Sequence, residues 1–285
     1  MQRLGYYNGQ WGPLEQMCIP MNDRASFFGD GVYDATMTCK GVILYADEHI
    51  DRFFRSAHLM RIEPDISAPQ LKTLLHEMVG KVDAEETFLY WQMTRGTGLR
   101  RHSFPSTAPN LWITVVPEGI DDLSRDACAV CVEDTRFSHC NAKTLNLLPN
   151  VLAAQRAEEA GCDEAIFIRE GYVTECAHSN VHILKEGTLI THPADEFILP
   201  GIARAHLIAM CASLDIPVEE RAFSKQELFD ADEVIVTSSS TFARGVSFID
   251  GIAVGGGDRL RLALLQEHLT REFDTYIENH LHDGN

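Results

Sequence analysis

Lysine is scarce in this chain: six of 285 residues, within a total of 24 Lys and Arg set against 42 Asp and Glu, for a formal net charge of −18. No Lys/Arg-rich run occurs. Proteins that bind nucleic acid gather a basic face, so nucleic acid and anionic membranes are poor partners for this chain. A small anionic substrate stays compatible, because one or two arginines in a pocket can oppose the global charge locally. Nowhere does an apolar run approach the ~18 uncharged residues of a membrane span. The first residues, MQRLGYYNGQWGP, lack the apolar core of a signal peptide. The expectation is a soluble, cytoplasmic protein. Eight cysteines are scattered through the chain, and in a reducing compartment they read as small buried hydrophobes rather than disulfides. Cys128 and Cys131 have C-x-x-C spacing, but no second such pair exists to complete a zinc site, so no metal is expected. Internal repeats and low-complexity segments are absent too.

What is present is apolar material for a core. Hydrophobic residues make up 45% of the chain, which excludes wholesale disorder, and the length suits two domains. Extended segments are predicted at Gly5–Asn8, Val32–Cys39 and Val42–Tyr45, the last two flanking a turn at Lys40-Gly41. Asp47 can cap a helix reaching Met60, with Ile50, Phe53, Phe54, Ala57 and Met60 on one face. A second helix over Pro69–Val79 carries Leu71, Leu74, Leu75 and Met78. Strands follow at Thr87–Thr94 and Leu111–Val116. Pro117–Asp122 is the candidate linker. Beyond it come a strand at Ala127–Glu133, a helix at Pro149–Ala160 ended by Gly161, and strands at Glu164–Ile168, Val181–Leu184 and Thr188–Thr191. The chain closes with a helix at Ile202–Leu214, strands at Val234–Thr237 and Val246–Ile249, and a final helix from Arg259, for which Gly255–Gly257 makes a turn and Asp258 an N-cap. This order fits an α+β protein of two domains, 1–118 and 119–285.

Lys143 stands apart from the other lysines, which fall in turns or on polar helix faces. It lies in NAKTLNLLP (Asn141–Pro149), just before an apolar helix. A lysine amine can condense with an aldehyde cofactor. From context by itself, a plain lysine at a strand end is the simpler account, and other residues must decide.

They do so in combination. KTLNLL from Lys143, GCDEAI from Gly161, VTECAHSNV from Val173 and LPGIAR from Leu199 occur in that order, preceded by FGDGVYD from Phe28 and EHIDR from Glu48. The set resembles the class IV (fold type IV) pyridoxal-phosphate enzymes, which include D-amino-acid aminotransferases, branched-chain aminotransferases and aminodeoxychorismate lyases. The resemblance covers nearly the whole chain. It implies a smaller N-terminal α/β domain, a larger C-terminal domain with a β-barrel-like core and helices, and pyridoxal 5′-phosphate as cofactor.

Carried over position by position, the resemblance makes Lys143 the lysine that binds the cofactor covalently and shuttles the proton at the substrate α-carbon. Glu175 would face the pyridine nitrogen, where a carboxylate stabilises the pyridinium. Arg52, Ser239 and the N–H groups of Ile202 and Ala203, at a helix start, would hold the phosphate. Arg136 would lie near the phenolic oxygen. Ala177 and His178 depart from the small polar residues usual there.

Substrate choice rests on the α-carboxylate. RGTGLRRH, Arg95–His102, resembles the D-amino-acid aminotransferase pattern, in which an Arg-x-His pair, here Arg100 and His102, grips the carboxylate from the neighbouring subunit of a homodimer; Tyr33 adds a hydroxyl. A solvated basic loop is the plainer account of the same residues. The segment SSSTFA (Ser238–Ala243) departs from the Gly-Thr-Ala-type turn of branched-chain enzymes. The resemblance therefore implies transamination between D-amino acids and 2-oxo acids. A branched-chain L-amino-acid aminotransferase and an aminodeoxychorismate lyase on the same scaffold are the alternatives.

Overall fold

The computed structural model describes residues 2–120 and 125–281. The chain divides into two compact units. The first comprises the described residues of Met1–Ile120, Ala142–Asn146 and Thr275–Asn285; the second, those of Asp121–Asn141 and Leu147–Asp274. Asp121 and Asp122, the end of the candidate linker, lie outside the described residues.

In the first unit, strands β1 (Leu4–Tyr7) and β2 (Gln10–Pro13) precede a short helix α1 (Arg24–Phe28). Strands β3 (Gly31–Cys39) and β4 (Val42–Ile43), helices α2 (Ala46–Leu59) and α3 (Ala68–Val79), and strands β5 (Glu86–Thr94) and β6 (Asn110–Pro117) follow. The six strands form one sheet in the order β2-β1-β6-β5-β3-β4, antiparallel throughout. Alternation along β3 and β5 sends Val32, Leu89, Trp91 and Met93 to one face, where α2 and α3 cover them with Phe53, Ala57, Leu71 and Leu75. The opposite phase of the same strands carries Tyr33, Tyr90 and Gln92, with the rings of Tyr33 and Tyr90 stacked at 5.3 Å. The end of α7 (Arg259–His280, below) also counts with this unit, Tyr276 lying 4.6 Å from the ring of Tyr45.

Helix α2 begins differently from expectation. Its N-cap is Tyr45, in the left-handed region at φ 49°, with no side-chain cap. Asp47 lies inside the first turn, where its charge favours the helix dipole, and its carboxylate is taken by Lys72 Nζ at 2.8 Å. The turn at Tyr45 also shortens the predicted strand Val42–Tyr45 to two residues.

The segment Ala142–Asn146 joins the first unit by lying along β3. Tyr33 N–H donates to the Lys143 carbonyl at 2.9 Å, and Leu145 N–H to that of Gly31 at 3.1 Å. Gly31 is required here: a Cβ would come within 2.6 Å of Leu145 Cδ1 and 2.7 Å of the Met93 carbonyl oxygen.

The second unit holds strand β7 (Ala127–Glu133), helix α4 (Leu148–Glu159) and strands β8 (Glu164–Arg169), β9 (Tyr172–Cys176), β10 (Asn180–Lys185) and β11 (Thr188–Thr191). Helix α5 (Ile202–Ser213), strand β12 (Val218–Glu220), helix α6 (Lys225–Phe229), strands β13 (Glu233–Thr237), β14 (Arg244–Ile249) and β15 (Ile252–Ala253), and α7 complete it. Its sheet runs β12-β11-β10-β13-β14-β7-β8-β9, with β15 on β14. Strand β9, last in this order, returns beside β10, so the sheet curls into the barrel-like core expected. Ile166, Val181, Ile183, Val234 and Val246 fill it, while Leu207, Cys211, Leu262 and Leu265 of α5 and α7 pack a second layer. Asp258 caps α7 as expected, its carboxylate accepting from Arg261 N–H at 3.3 Å.

One expectation about cysteine fails. Cys128 and Cys162 are joined in a disulfide, their Cα atoms 4.7 Å apart. The pair is invisible in sequence because 34 residues separate its members; the parallel pairing of β7 with β8 brings the two strand starts together. Cys128 is not paired with Cys131.

Candidate active site

In the first unit, the chemistry gathers on β3, the start of α2 and the Ala142–Asn146 segment. Lys72, Lys81, Lys185 and Lys225 each meet a carboxylate, and Lys40 is exposed in a turn. Lys143 is half-buried. Among the described residues its amine makes no ion pair or hydrogen bond; it lies 4.4 Å from the centre of the Tyr33 ring. The backbone beneath it is held by Ser56 Oγ, which accepts from Lys143 N–H at 3.0 Å.

Beside it lies a buried polar trio, of which the sequence pointed to Arg52 alone. Asp34 of β3 accepts two bonds from Arg52, at 2.9 and 2.7 Å, and one from His49 Nδ1 at 2.8 Å. All three side chains are at most 4% exposed. Burial opposes the charge of Asp34, but the Arg52 guanidinium and the His49 hydrogen bond overcome it and hold the carboxyl well below the usual range. Burial pushes His49 the other way, downward, against the pull of Asp34. Arg52, expected on the phosphate, is thus clamped in a single orientation by its planar fork.

Arg100 and His102 occupy an exposed loop after β5. Both rest on Phe28: the Arg100 guanidinium is 5.3 Å and the His102 ring 5.2 Å from its centre. Buried Arg24 anchors the loop from below, donating to the carbonyls of Arg101 at 2.6 Å and Ser103 at 3.3 Å and pairing with Asp30 at 2.7 Å.

In the second unit, Glu175 lies on β9, 6% exposed. Its Oε1 accepts a short bond from Arg136, and its Oε2 accepts from Asn180 Nδ2 and Leu199 N–H, both at 3.0 Å. Arg136 is itself gripped by Asp134. Asn180 reaches across to the turn before α5, where Gly201 is the N-cap and no side chain caps the helix. The first N–H groups, those of Ile202 and Ala203, therefore lack intrahelical acceptors. A Cβ at position 201 would come within 2.1 Å of Asn180 Oδ1, so the close approach of turn to amide needs glycine. In the turn after β13, the Ser238 hydroxyl is engaged with Thr241 at 2.8 Å, while Ser239 is half-buried. His178 is exposed on the β9–β10 loop, 3.3 Å from Glu164, and the N–H of Ala177 donates to the same carboxylate.

The sequence motifs thus separate by unit: Lys143, Arg52, Tyr33, Arg100 and His102 in the first, Glu175, Arg136, Ile202, Ala203 and Ser239 in the second. Asp34, His49, Asp134 and Arg24 were missed as contributors, whereas Asn180 was read as part of the motif around the cofactor. Asp34 was legible only as part of a motif, and nothing local marks a carboxylate whose partners lie 15 to 18 residues away. The first unit holds an amine that makes no ion pair or hydrogen bond among the described residues; the second holds a buried carboxylate with the chemistry to meet a ring nitrogen and a helix start without a side-chain cap, suited to a phosphate.

Comparison with known proteins agrees. Residues 31–249 match the family described as amino-transferase class IV. A D-alanine aminotransferase of Bacillus licheniformis is 36% identical over 256 residues, covering 88% of this chain and 90% of that protein. One from Staphylococcus haemolyticus is 34% identical, covering 96% and 98%. Among solved structures, the branched-chain amino acid aminotransferase of Escherichia coli superposes with a TM-score of 0.82 at 23% identity, over 91% of each chain. A branched-chain amino acid aminotransferase of T.th., complexed with N-(5′-phosphopyridoxyl)-L-glutamate, gives 0.85 at 25% identity over 96% of each. The chain belongs to the class IV aminotransferase family and is a pyridoxal-phosphate-dependent aminotransferase.

Proposed function

We propose that the chain is a D-amino-acid transaminase, moving an amino group between a D-amino acid and a 2-oxo acid. The observation that carries this reading is the packing of Arg100 and His102 against the same ring, Phe28, which holds a guanidinium and an imidazole on one anchored loop. The full-length relatives named D-alanine aminotransferases support it.

Pyridoxal phosphate, when bound, supplies an aldehyde for the amine and a ring that withdraws electrons from the substrate α-carbon. Each residue then has a task. Lys143 Nζ takes the proton from the α-carbon and returns it on the other side of the exchange. Glu175 holds the proton on the ring nitrogen, which keeps the ring electron-poor. Arg52, the N–H groups of Ile202 and Ala203, and the Ser239 hydroxyl hold the phosphate. Arg136 orients Glu175, and in this reading it would be near the cofactor's phenolic oxygen.

Arg100 and His102 grip the α-carboxylate, with the Tyr33 hydroxyl assisting. They serve the neighbouring subunit, so the active form is a homodimer with shared sites. Once the carboxylate is seated on one side, a single enantiomer directs its α-hydrogen to Lys143. A 2-oxo acid carries the same carboxylate, so one grip serves both half-reactions. Among the described residues no helix is long and apolar enough to cross a membrane, and the proposed location is the cytoplasm. The domain division taken with this reading is 1–118 and 119–285.

The second reading, a branched-chain L-amino-acid aminotransferase, is favoured by the solved structures it resembles. Assay of D- and L-amino acids with 2-oxoglutarate or pyruvate separates the two. Turnover of D-alanine is expected. Efficient use of L-leucine or L-valine without D-alanine overturns the D-specific reading, and release of pyruvate from aminodeoxychorismate without transamination of either enantiomer would point to the lyase.

A further inference from the structure

We propose that Asp134 is a positioning residue that sets, through Arg136, how strongly Glu175 holds the proton on the cofactor's ring nitrogen. This rests on the role given to Glu175 above.

The geometry is a buried charge relay within the second unit. Asp134 is the first residue after β7, its side chain fully buried. Arg136 Nε donates to its Oδ1 at 2.9 Å and Nη2 to its Oδ2 at 3.0 Å, the two parallel bonds of a guanidinium–carboxylate fork. Arg136 N–H adds a third at 3.1 Å. With the fork occupied, Nη1 points to Glu175 Oε1. Nη2 also meets the Phe197 carbonyl and the Thr174 hydroxyl, at 3.1 and 3.2 Å, so the guanidinium cannot rotate without breaking several bonds. Thr174 in turn donates to Asp134 at 2.9 Å. A second cation, Arg169, reaches Asp134 from β8 at 3.2 Å and bonds the Arg136 carbonyl at 2.7 Å.

The charges decide the consequence. A guanidinium touching Glu175 competes with the pyridinium for the same carboxylate and weakens its hold on the ring proton. Asp134 neutralises that guanidinium from its other side, so Glu175 keeps its charge for the cofactor. Arg169 partly offsets Asp134. Among the described residues the Cys140 and Cys176 thiols also neighbour this network; burial pushes both upward, Cys140 to about 11, so both stay neutral. The Asn180 amide on Glu175 Oε2 carries no charge. The ionised state of Asp134 is secure: burial opposes it, but the bonds from Arg136 and Arg169 hold its carboxyl at about 2.

The test uses holoenzyme loaded with pyridoxal phosphate labelled with nitrogen-15 at the ring, whose resonance reports whether that nitrogen is protonated, followed against pH. Glu175→Gln sets the scale and should displace the midpoint of ring deprotonation downward most. Asp134→Asn should lower it by about one pH unit, a tenfold loss of proton affinity, and Asp134→Glu should restore much of it. Arg169→Gln, which removes a half-exposed cation and leaves the fold supported, should move the midpoint upward. If Glu175→Gln leaves the resonance where it was, the role of Glu175 fails and this inference with it. If Glu175→Gln shifts it and a folded Asp134→Asn does not, the inference alone is overturned. Should Asp134→Asn fail to fold, Arg169→Gln decides: a downward or absent shift overturns the proposal, because loosening of the network cannot raise the midpoint.

Discussion

The amine of Lys143 lies 4.4 Å from the ring centre of Tyr33, and the main chains of the two residues are joined by a 2.9 Å hydrogen bond from Tyr33 N–H to the Lys143 carbonyl. The residue proposed to hold the cofactor and the residue proposed to steady the substrate are thereby registered against each other, one beside β3 and one on it. Reduction of holoenzyme with borohydride followed by peptide mapping should label the peptide containing Lys143. Lys143→Ala should abolish transamination and leave the far-ultraviolet spectrum unchanged. Label on any other lysine would refute the assignment. Tyr33→Phe keeps the ring beneath the amine and removes the hydroxyl, so kcat should hold while KM rises by about tenfold, the loss of one charge-assisted hydrogen bond.

The loop that carries Arg100 and His102 depends on Arg24. Arg24→Gln removes the bonds to the carbonyls of Arg101 and Ser103. KM should rise by roughly tenfold for amino donor and oxo-acid acceptor alike, with kcat nearly unchanged. Arg100→Ala should do more, about 10- to 100-fold. Arg101→Ala, which keeps its backbone carbonyl, should stay within about twofold, since an exposed charge away from the contact contributes little. Equal effects at Arg100 and Arg101 would mean that the loop acts by general charge.

His182 on β10 gives a pH signature to stability. It is fully buried between two hydroxyls, Thr191 at 2.8 Å and Thr237 at 2.9 Å. Burial, helped by Arg204, pushes its imidazole down to about 3. The folded value is depressed, so the unfolded chain binds the proton first. Stability is complete above the unfolded value near 6.5 and is lost as pH falls toward 3. Between pH 7 and pH 5 this group should cost about 2 kcal/mol. Urea unfolding of wild type and His182→Gln at both values tests it: the variant should lose about 2 kcal/mol less over the same interval. Equal losses would show that His182 is not the source.

Gly201→Ala should act on the cofactor from a distance. The new methyl would displace Asn180, whose amide holds both Glu175 and the Leu199 carbonyl. Overpacking of this kind costs about 1–3 kcal/mol. Cofactor affinity should fall by about tenfold or more, measured by equilibrium dialysis of pyridoxal phosphate. Unchanged affinity would show that the Pro200-Gly201 turn can relax independently.

Much of the fold was legible where pattern and local chemistry agree. The alternation in β3 and β5 and the apolar stripe of α3 give their elements within a residue or two. Helices α1 and α6 have five residues each, too few for a period to register. Strand β9 reads as polar because Thr174 and Glu175 are buried by partners from other strands and loops rather than by apolar character. The disulfide and the left-handed Tyr45 start of α2 likewise answer to neighbours distant in sequence or to a turn without glycine.

The sequence by itself determined the chemistry of this protein: an amine in KTLNLL, a carboxylate in VTEC, an arginine in EHIDR, and a basic loop after RGTG, each written in a contiguous run of residues. Only the tertiary structure decided how those groups are held. Arg52 is clamped by Asp34, Arg136 is turned onto Glu175 by Asp134, and Lys143 is laid along β3. The reason is physical. A reactive group is a property of one side chain, but its orientation and charge in a buried setting belong to the partners that satisfy it, and chain folding, not sequence proximity, brings those partners within hydrogen-bonding distance.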